Sequence, residues 1–198
     1  MERNDLTPEE SFEIIKKAIV NFKMNYRESS KVFLLWGWIL SFACFSNFII
    51  VKILQSKEAY ESMNLFILGN WLVFCSLGFI ILLFMMRKTN NEKKVFSHIE
   101  TYVKNLWWVI AASFVVATFI CIKLEIAPPP IMLLIAGIAT TTSGLLIKFK
   151  PLIIGGMTFF LFSIATVFVT NEYISLITGA AVICGYLVPG YFLKTAKE

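Results

Sequence analysis

Apolar residues in this chain come in long unbroken runs, not in the alternation of a half-buried strand or the narrow stripe of a surface helix. The runs reach membrane-spanning length. A bilayer core of about 30 Å is crossed by a helix of about 20 apolar residues, and six stretches qualify: 32–54, 63–86, 106–122, 131–147, 152–169 and 174–193. Lys52 is the only charge in the first, and the second carries none. The third opens on Trp107 and Trp108, whose amphipathic rings suit the level of the headgroups. Pro128, Pro129 and Pro130 end one helix and suit the first turn of the next. Pro189 and Gly190 predict a kink or an interfacial exit late in the sixth span. The expected fold class is all-α, a polytopic membrane protein with six transmembrane helices in an antiparallel bundle plus amphipathic cytoplasmic helices. A cytoplasmic helix over residues 1–30 is expected to precede a membrane domain over 31–198.

The polar stretches between the runs have patterns of their own. Thr7, Pro8, Glu9 and Glu10 form a helix start, with a threonine cap, proline in the first turn and a glutamate three residues after the cap. From there Phe12, Ile15, Ile19, Phe22 and Tyr26 recur at spacings of three and four, while Glu13, Lys16, Lys17 and Lys23 point elsewhere. Such a helix either lies on the membrane or the protein's own cytoplasmic face, or offers a docking or dimerisation surface. A second amphipathic stretch carries Val95, Ile99 and Tyr102 on one side and is expected to lie flat on the same leaflet.

Composition rules out the alternatives to a membrane protein. The chain has 198 residues, 58% of them hydrophobic and 16% charged, where a soluble domain has about 45–50% apolar and about 25% charged residues. Its many aromatics exclude a disordered chain. The net charge of +5 belongs to membrane orientation and anionic headgroups and does not imply nucleic acid, since no basic face interleaved with stacking aromatics lies outside the runs. With the amino terminus inside, fifteen of the 18 Lys and Arg fall in inside segments, leaving Lys52, Lys57 and Lys123 outside. The positive-inside rule then places both termini in the cytoplasm and the chain in the cell's inner (plasma) membrane. The first 30 residues are polar and lack a cleavable-signal pattern, so the first span is expected to serve as its own insertion signal.

Candidate chemistry is sparse. No span core holds Asp, Glu, Lys, Arg or His, which argues against a proton-coupled carrier or an intramembrane hydrolase built on such groups. Glu61, Glu125 and Glu172 read as solvated loop charges. His98 has no second histidine or cysteine nearby, and Cys44, Cys75, Cys121 and Cys184 all lie inside spans without paired spacing. No catalytic, cofactor-binding or metal-ligating set is expected, and the cysteines read as reduced packing residues. What the spans do contain is uncharged polarity. Asn47 and Asn70 each stand seven residues from the outer end of their helix, at a depth where they can bond to each other. Thr140, Thr141, Thr142 and Ser143 cluster in the fourth span. Both groups read either as helix–helix glue or as the lining of a polar cavity. Small residues concentrate in the last three spans, at Ala136, Thr140 and Gly144, at Gly155 and Gly156, and at Gly179, Ala181 and Gly185, where they allow close backbone approach.

The segment ITGAAVICGYLVPGYFLK at 177–194 resembles the closing helix of drug/metabolite transporter-type proteins. That resemblance implies transport, but those families have more helices or an essential buried acid, and this chain has neither. The charged leader followed by six short-looped spans is similar to small uncharacterised bacterial inner-membrane proteins, a likeness that brings no activity with it. Two functions are therefore expected. One is a non-enzymatic accessory, sensory or regulatory component acting on a cytoplasmic protein partner or as a homodimer through its amphipathic segments. The other is a small-solute or lipid transporter or channel with an uncharged polar lining.

Overall fold

A computed structural model describes residues 8–90 and 98–195, with the side chains of 8–29, 88–90, 98–101, 104 and 171 outside the description. The described residues are all helical apart from short turns. Helix α1 runs from Pro8 to Ser56, α2 from Tyr60 to Asn90, α3 from His98 to Leu124, α4 from Pro129 to Leu146 and α5 from Lys150 to Val167. The last crossing is α6 (Asn171–Val182), a π-helical turn (Ile183–Leu187) and α7 (Val188–Thr195) in unbroken succession. Among the described residues six helices are long and apolar enough to cross a membrane, and the chain is a polytopic membrane protein. Six crossings return the chain to the side where α1 begins. That side is called terminal below, and the opposite side distal.

The span boundaries expected from hydropathy agree with these helices to within a few residues, with one difference of substance. No break separates residues 8–30 from the first span: α1 is a single helix of 49 residues, about 73 Å long at about 1.5 Å per residue. Its membrane portion begins near Ser30, so residues 8–29 extend the first span on the terminal side and do not form a separate helix. The partner-surface residues Phe12, Ile15, Ile19, Phe22 and Tyr26 belong to this extension by backbone, and their side chains lie outside the description. The second amphipathic stretch is likewise no separate element from His98 onward, because α3 carries it into the third span; residues 94–97 lie outside the described residues.

Three of the turns close in the same way. Glu58, Glu125 and Lys148 sit at φ near +53° to +55°, the left-handed region, each just after a helix end. The next residue's N–H then reaches back to the helix, from Ala59 to the Leu54 carbonyl (3.0 Å), from Ile126 to Cys121 (3.0 Å) and from Phe149 to Gly144 (2.9 Å). This is the Schellman closure usually made with glycine. It reverses the chain in three or four residues and sets consecutive helices antiparallel.

Neighbours run in the order α2, α1, α6–α7, α5, α4, α3. The most extensive packing is between α4 and α5, while α2 and α3, although consecutive in sequence, make at most marginal contact among the described residues. The core lies where α1, α4, α5 and the last crossing meet. Phe33, Leu133, Leu152, Phe159, Tyr186 and Leu193 are buried together there. The Phe159 ring stands edge-on to Tyr186 at 4.8 Å, and Trp107 of α3 reaches Phe33 at 5.9 Å. Apolar side chains elsewhere point outward along every span, as lipid contact requires.

The π turn has a local cause. Pro189 has no N–H to offer the Gly185 carbonyl, and its ring crowds that carbonyl. The chain widens by one residue there, and the Val188 N–H bonds back to the Ile183 carbonyl. The displaced Gly185 carbonyl then faces Gly155 of α5, where an added Cβ would come within 3.0 Å of it and 2.8 Å of the Pro189 ring. The expected kink is thus absorbed by a π turn and a glycine opposite it.

Candidate functional site

The polar residues inside the spans fall into two groups, one near the distal side and one in the core. The distal group joins α1, α2 and α6. Asn47 and Asn70 stand at similar depth, as their spacing implies, but do not bond to each other. Asn47 Nδ2 donates to Ser175 Oγ of α6 at 2.8 Å. Asn70 Nδ2 donates to the Ala43 carbonyl at 3.0 Å, and its Oδ1 accepts from Ser46 Oγ. Adjacent residues of α1 therefore face opposite neighbours, Ser46 towards α2 and Asn47 towards α6. Both asparagines are buried, and Asn47 Oδ1 has no partner.

Above this pair lies an ion pair. Lys52 Nζ meets Glu172 Oε2 at 2.5 Å, with both side chains about two-fifths exposed. The Lys52 ammonium also lies 5.4 Å over the Tyr173 ring, and Phe48 stacks obliquely on the same ring. The expectation that Glu172 is a free loop charge is corrected. The start of α6 carries it to the side of Lys52, four residues before the end of α1.

Below the Asn47–Ser175 bond, α1 and α6 separate and leave a recess of about 210 Å³, open on the lipid side and lined by Ser41, Cys44, Phe45, Ser175, Leu176, Gly179, Ala180 and Ile183. Its back is closed where Gly179 meets Cys44; a Cβ there would lie 3.3 Å from the cysteine Cβ. Farther towards the terminal side the helices are again in contact. A Cβ at Gly190 would lie 3.1 Å from Leu34, and Trp38 Nε1 donates to the Tyr191 hydroxyl at 3.3 Å.

The core group is the threonine cluster, and α4 sends its members in different directions. Thr140 is fully buried, donates to the Ala136 carbonyl at 2.7 Å and bonds the Tyr186 hydroxyl. Thr141 lies against α5, where a Cβ at Gly156 would strike its hydroxyl and backbone. Ser143 is buried one turn from Thr140 on the same face, and Thr142 is only partly buried. The hydroxyls of Thr141 and Ser143 have no partner. Nothing gathers the four around a common space, and the recess beside α6 touches none of them.

Of the sequence-derived candidates, the asparagines and threonines are therefore helix contacts in two separate places. Sequence reasoning missed Ser46, Ser175 and Tyr186 as their partners, and Tyr173 as that of Lys52, since a partner on another helix leaves no local pattern. It had one usable signal, Lys52 as the single charge in an apolar run. The cysteines are all free, with Cys44 and Cys121 buried as packing residues, but Cys75 is exposed on α2.

Comparison with protein-family models, curated proteins and solved structures returned no match.

Proposed function

We propose that this protein is a non-enzymatic accessory or regulatory component of the plasma (inner) membrane, with both termini in the cytoplasm, acting through its amino-terminal helix. The observation that carries this reading is the continuity of α1. Residues 8–29 extend the first span by about 33 Å and bear the stripe Phe12, Ile15, Ile19, Phe22 and Tyr26. Whatever binds that stripe, a cytoplasmic protein or a second copy, is coupled to the tilt and rotation of a helix that packs on α2, α6 and α7. The orientation rests on fifteen of 18 basic residues lying on one side. The use of the polar residues supports the same reading, because the asparagines donate to neighbouring helices, Thr140 donates to the preceding turn of its own helix, and the recess touches none of the threonine cluster.

Two measurements test it. Photo-crosslinking residues placed singly along 12–26 should give adducts at the five stripe positions and few at Glu13, Lys16 and Lys23, and Phe12→Glu with Phe22→Glu should abolish them. Crosslinking that ignores the stripe overturns the docking surface. Liposomes containing the protein should show no more solute leakage than empty ones, and specific flux would replace this reading with the transporter one. A carboxyl-terminal reporter active only in the cytoplasm checks the orientation.

A further inference from the structure

We infer that the α1–α6 face holds a zwitterionic phospholipid, one acyl chain in the recess and its headgroup on the Lys52–Glu172 pair. The two helices present matching stripes. Ser41, Phe45, Phe48 and Lys52 follow one another on α1 at spacings of four, three and four, and Glu172, Leu176, Gly179 and Ile183 do the same on the last crossing. The recess lies between the lower parts of these stripes and the ion pair joins their tops, with the Phe48–Tyr173 ring contact between the two. Phe45 lies seven residues below Lys52, about 10 Å at 1.5 Å per residue, which separates headgroup from hydrocarbon as a phospholipid does. The recess is almost wholly apolar and opens sideways to the bilayer, so its occupant is hydrocarbon.

The mouth decides the headgroup. Lys52 and Glu172 neutralise each other, which gives an anionic lipid no net attraction. Each keeps about two-fifths of its side chain exposed, leaving ammonium protons for a phosphate and carboxylate oxygens for an ammonium group. A phosphatidylethanolamine head carries both in the complementary arrangement. The Tyr173 ring beneath Lys52 holds the ammonium at the interface.

The test is native mass spectrometry of the full chain, released from mixed micelles containing equal phosphatidylethanolamine and phosphatidylglycerol. The wild type should retain one phosphatidylethanolamine in preference to phosphatidylglycerol. Ala180→Phe fills the recess, and Ile183→Trp blocks it from its exposed rim without entering the core; each should lower retention at least fivefold. Glu172→Gln leaves Lys52 as an unbalanced cation and should move the preference about fivefold towards phosphatidylglycerol, the effect of one lysine near an anionic surface. Leu72→Trp, on the outward face of α2, should change nothing. Wild-type protein retaining no lipid, Ile183→Trp retaining it undiminished, or Glu172→Gln leaving the preference unmoved would each overturn the assignment.

Discussion

Helices α4 and α5 meet backbone to backbone, whereas α1 and α2 meet through a few side chains. Between α4 and α5 a Cβ at Gly144 would lie 2.8 Å from the Ile153 nitrogen, one at Gly137 would lie 3.2 Å from the Gly156 carbonyl, and Gly156 is pressed onto Thr141. Between α1 and α2 the contacts include a notch at Gly78, which takes the Trp36 ring, and the bonds of Asn70 to Ala43 and Ser46. The consequence shows in burial: half of the last span is inside the protein but only 11% of α2. In lipid no hydrophobic force draws one apolar helix to another, so attachment depends on how closely backbones approach and on polar ties. The last three crossings use the first means and α2 relies mainly on the second.

The largest expected effect separates the two joints by steric load. Gly185 faces the Phe159 ring, which is fully buried and cannot swing aside. Gly185→Leu and Gly156→Leu should each cost about 3 kcal/mol or more and yield protein that is not monodisperse in detergent. Gly69→Leu on α2 places its side chain where nothing lies within 4 Å. It should be tolerated and gain a few tenths of a kcal/mol from helix propensity, up to about 1. Equal damage at Gly69 would mean that α2 packs on something else.

A smaller effect distinguishes the two asparagines. Asn70→Leu removes both polar ties of α2 and should cost about 0.6–1.7 kcal/mol, read as faster hydrogen exchange confined to α2. Asn47→Leu breaks the bond to Ser175 but also removes a buried oxygen that has no partner. The two contributions oppose each other, and the change in thermal stability should stay within about 0.5 kcal/mol. If Asn47→Leu proves the more damaging, the distal polar joint is centred on α6, not on α2.

How much of this was legible in the sequence follows the range of each interaction. The spans were legible because about 20 consecutive apolar residues can satisfy their backbone in lipid only as a helix. The close approach of α4 and α5 was legible in the glycines and small residues of those spans. The depth of Asn47 and Asn70 was legible too, since it follows from rise per residue alone. Which residue each asparagine meets was not, because Ser175 lies 128 positions away and any small polar residue at that level would serve. The joining of the leader to the first span was missed for a different reason. Residues 27–31 mix charge with serine, which reads as an interruption, yet none of Arg27, Glu28, Ser29, Ser30 and Lys31 breaks a helix as proline or glycine would.

The smallest expected effect concerns the turns, where both regions share one device. Glu58, Glu125 and Lys148 hold left-handed backbone with an ordinary side chain, at roughly 1 kcal/mol above glycine in the same conformation. Glycine at any of them relieves that strain but adds freedom to the unfolded chain, so the net gain should be below about 1 kcal/mol. The gain should be clearest for Glu125→Gly, since α3 has little buried surface to dominate the melt, and faintest for Lys148→Gly, where the α4–α5 contact already fixes the geometry. The β-branched Lys148→Val should lower the midpoint, because its side chain suits left-handed backbone least. A thermal midpoint in detergent that falls with Glu125→Gly would show that the α3–α4 turn is held by its glutamate and not by the Schellman bond from Ile126 to Cys121.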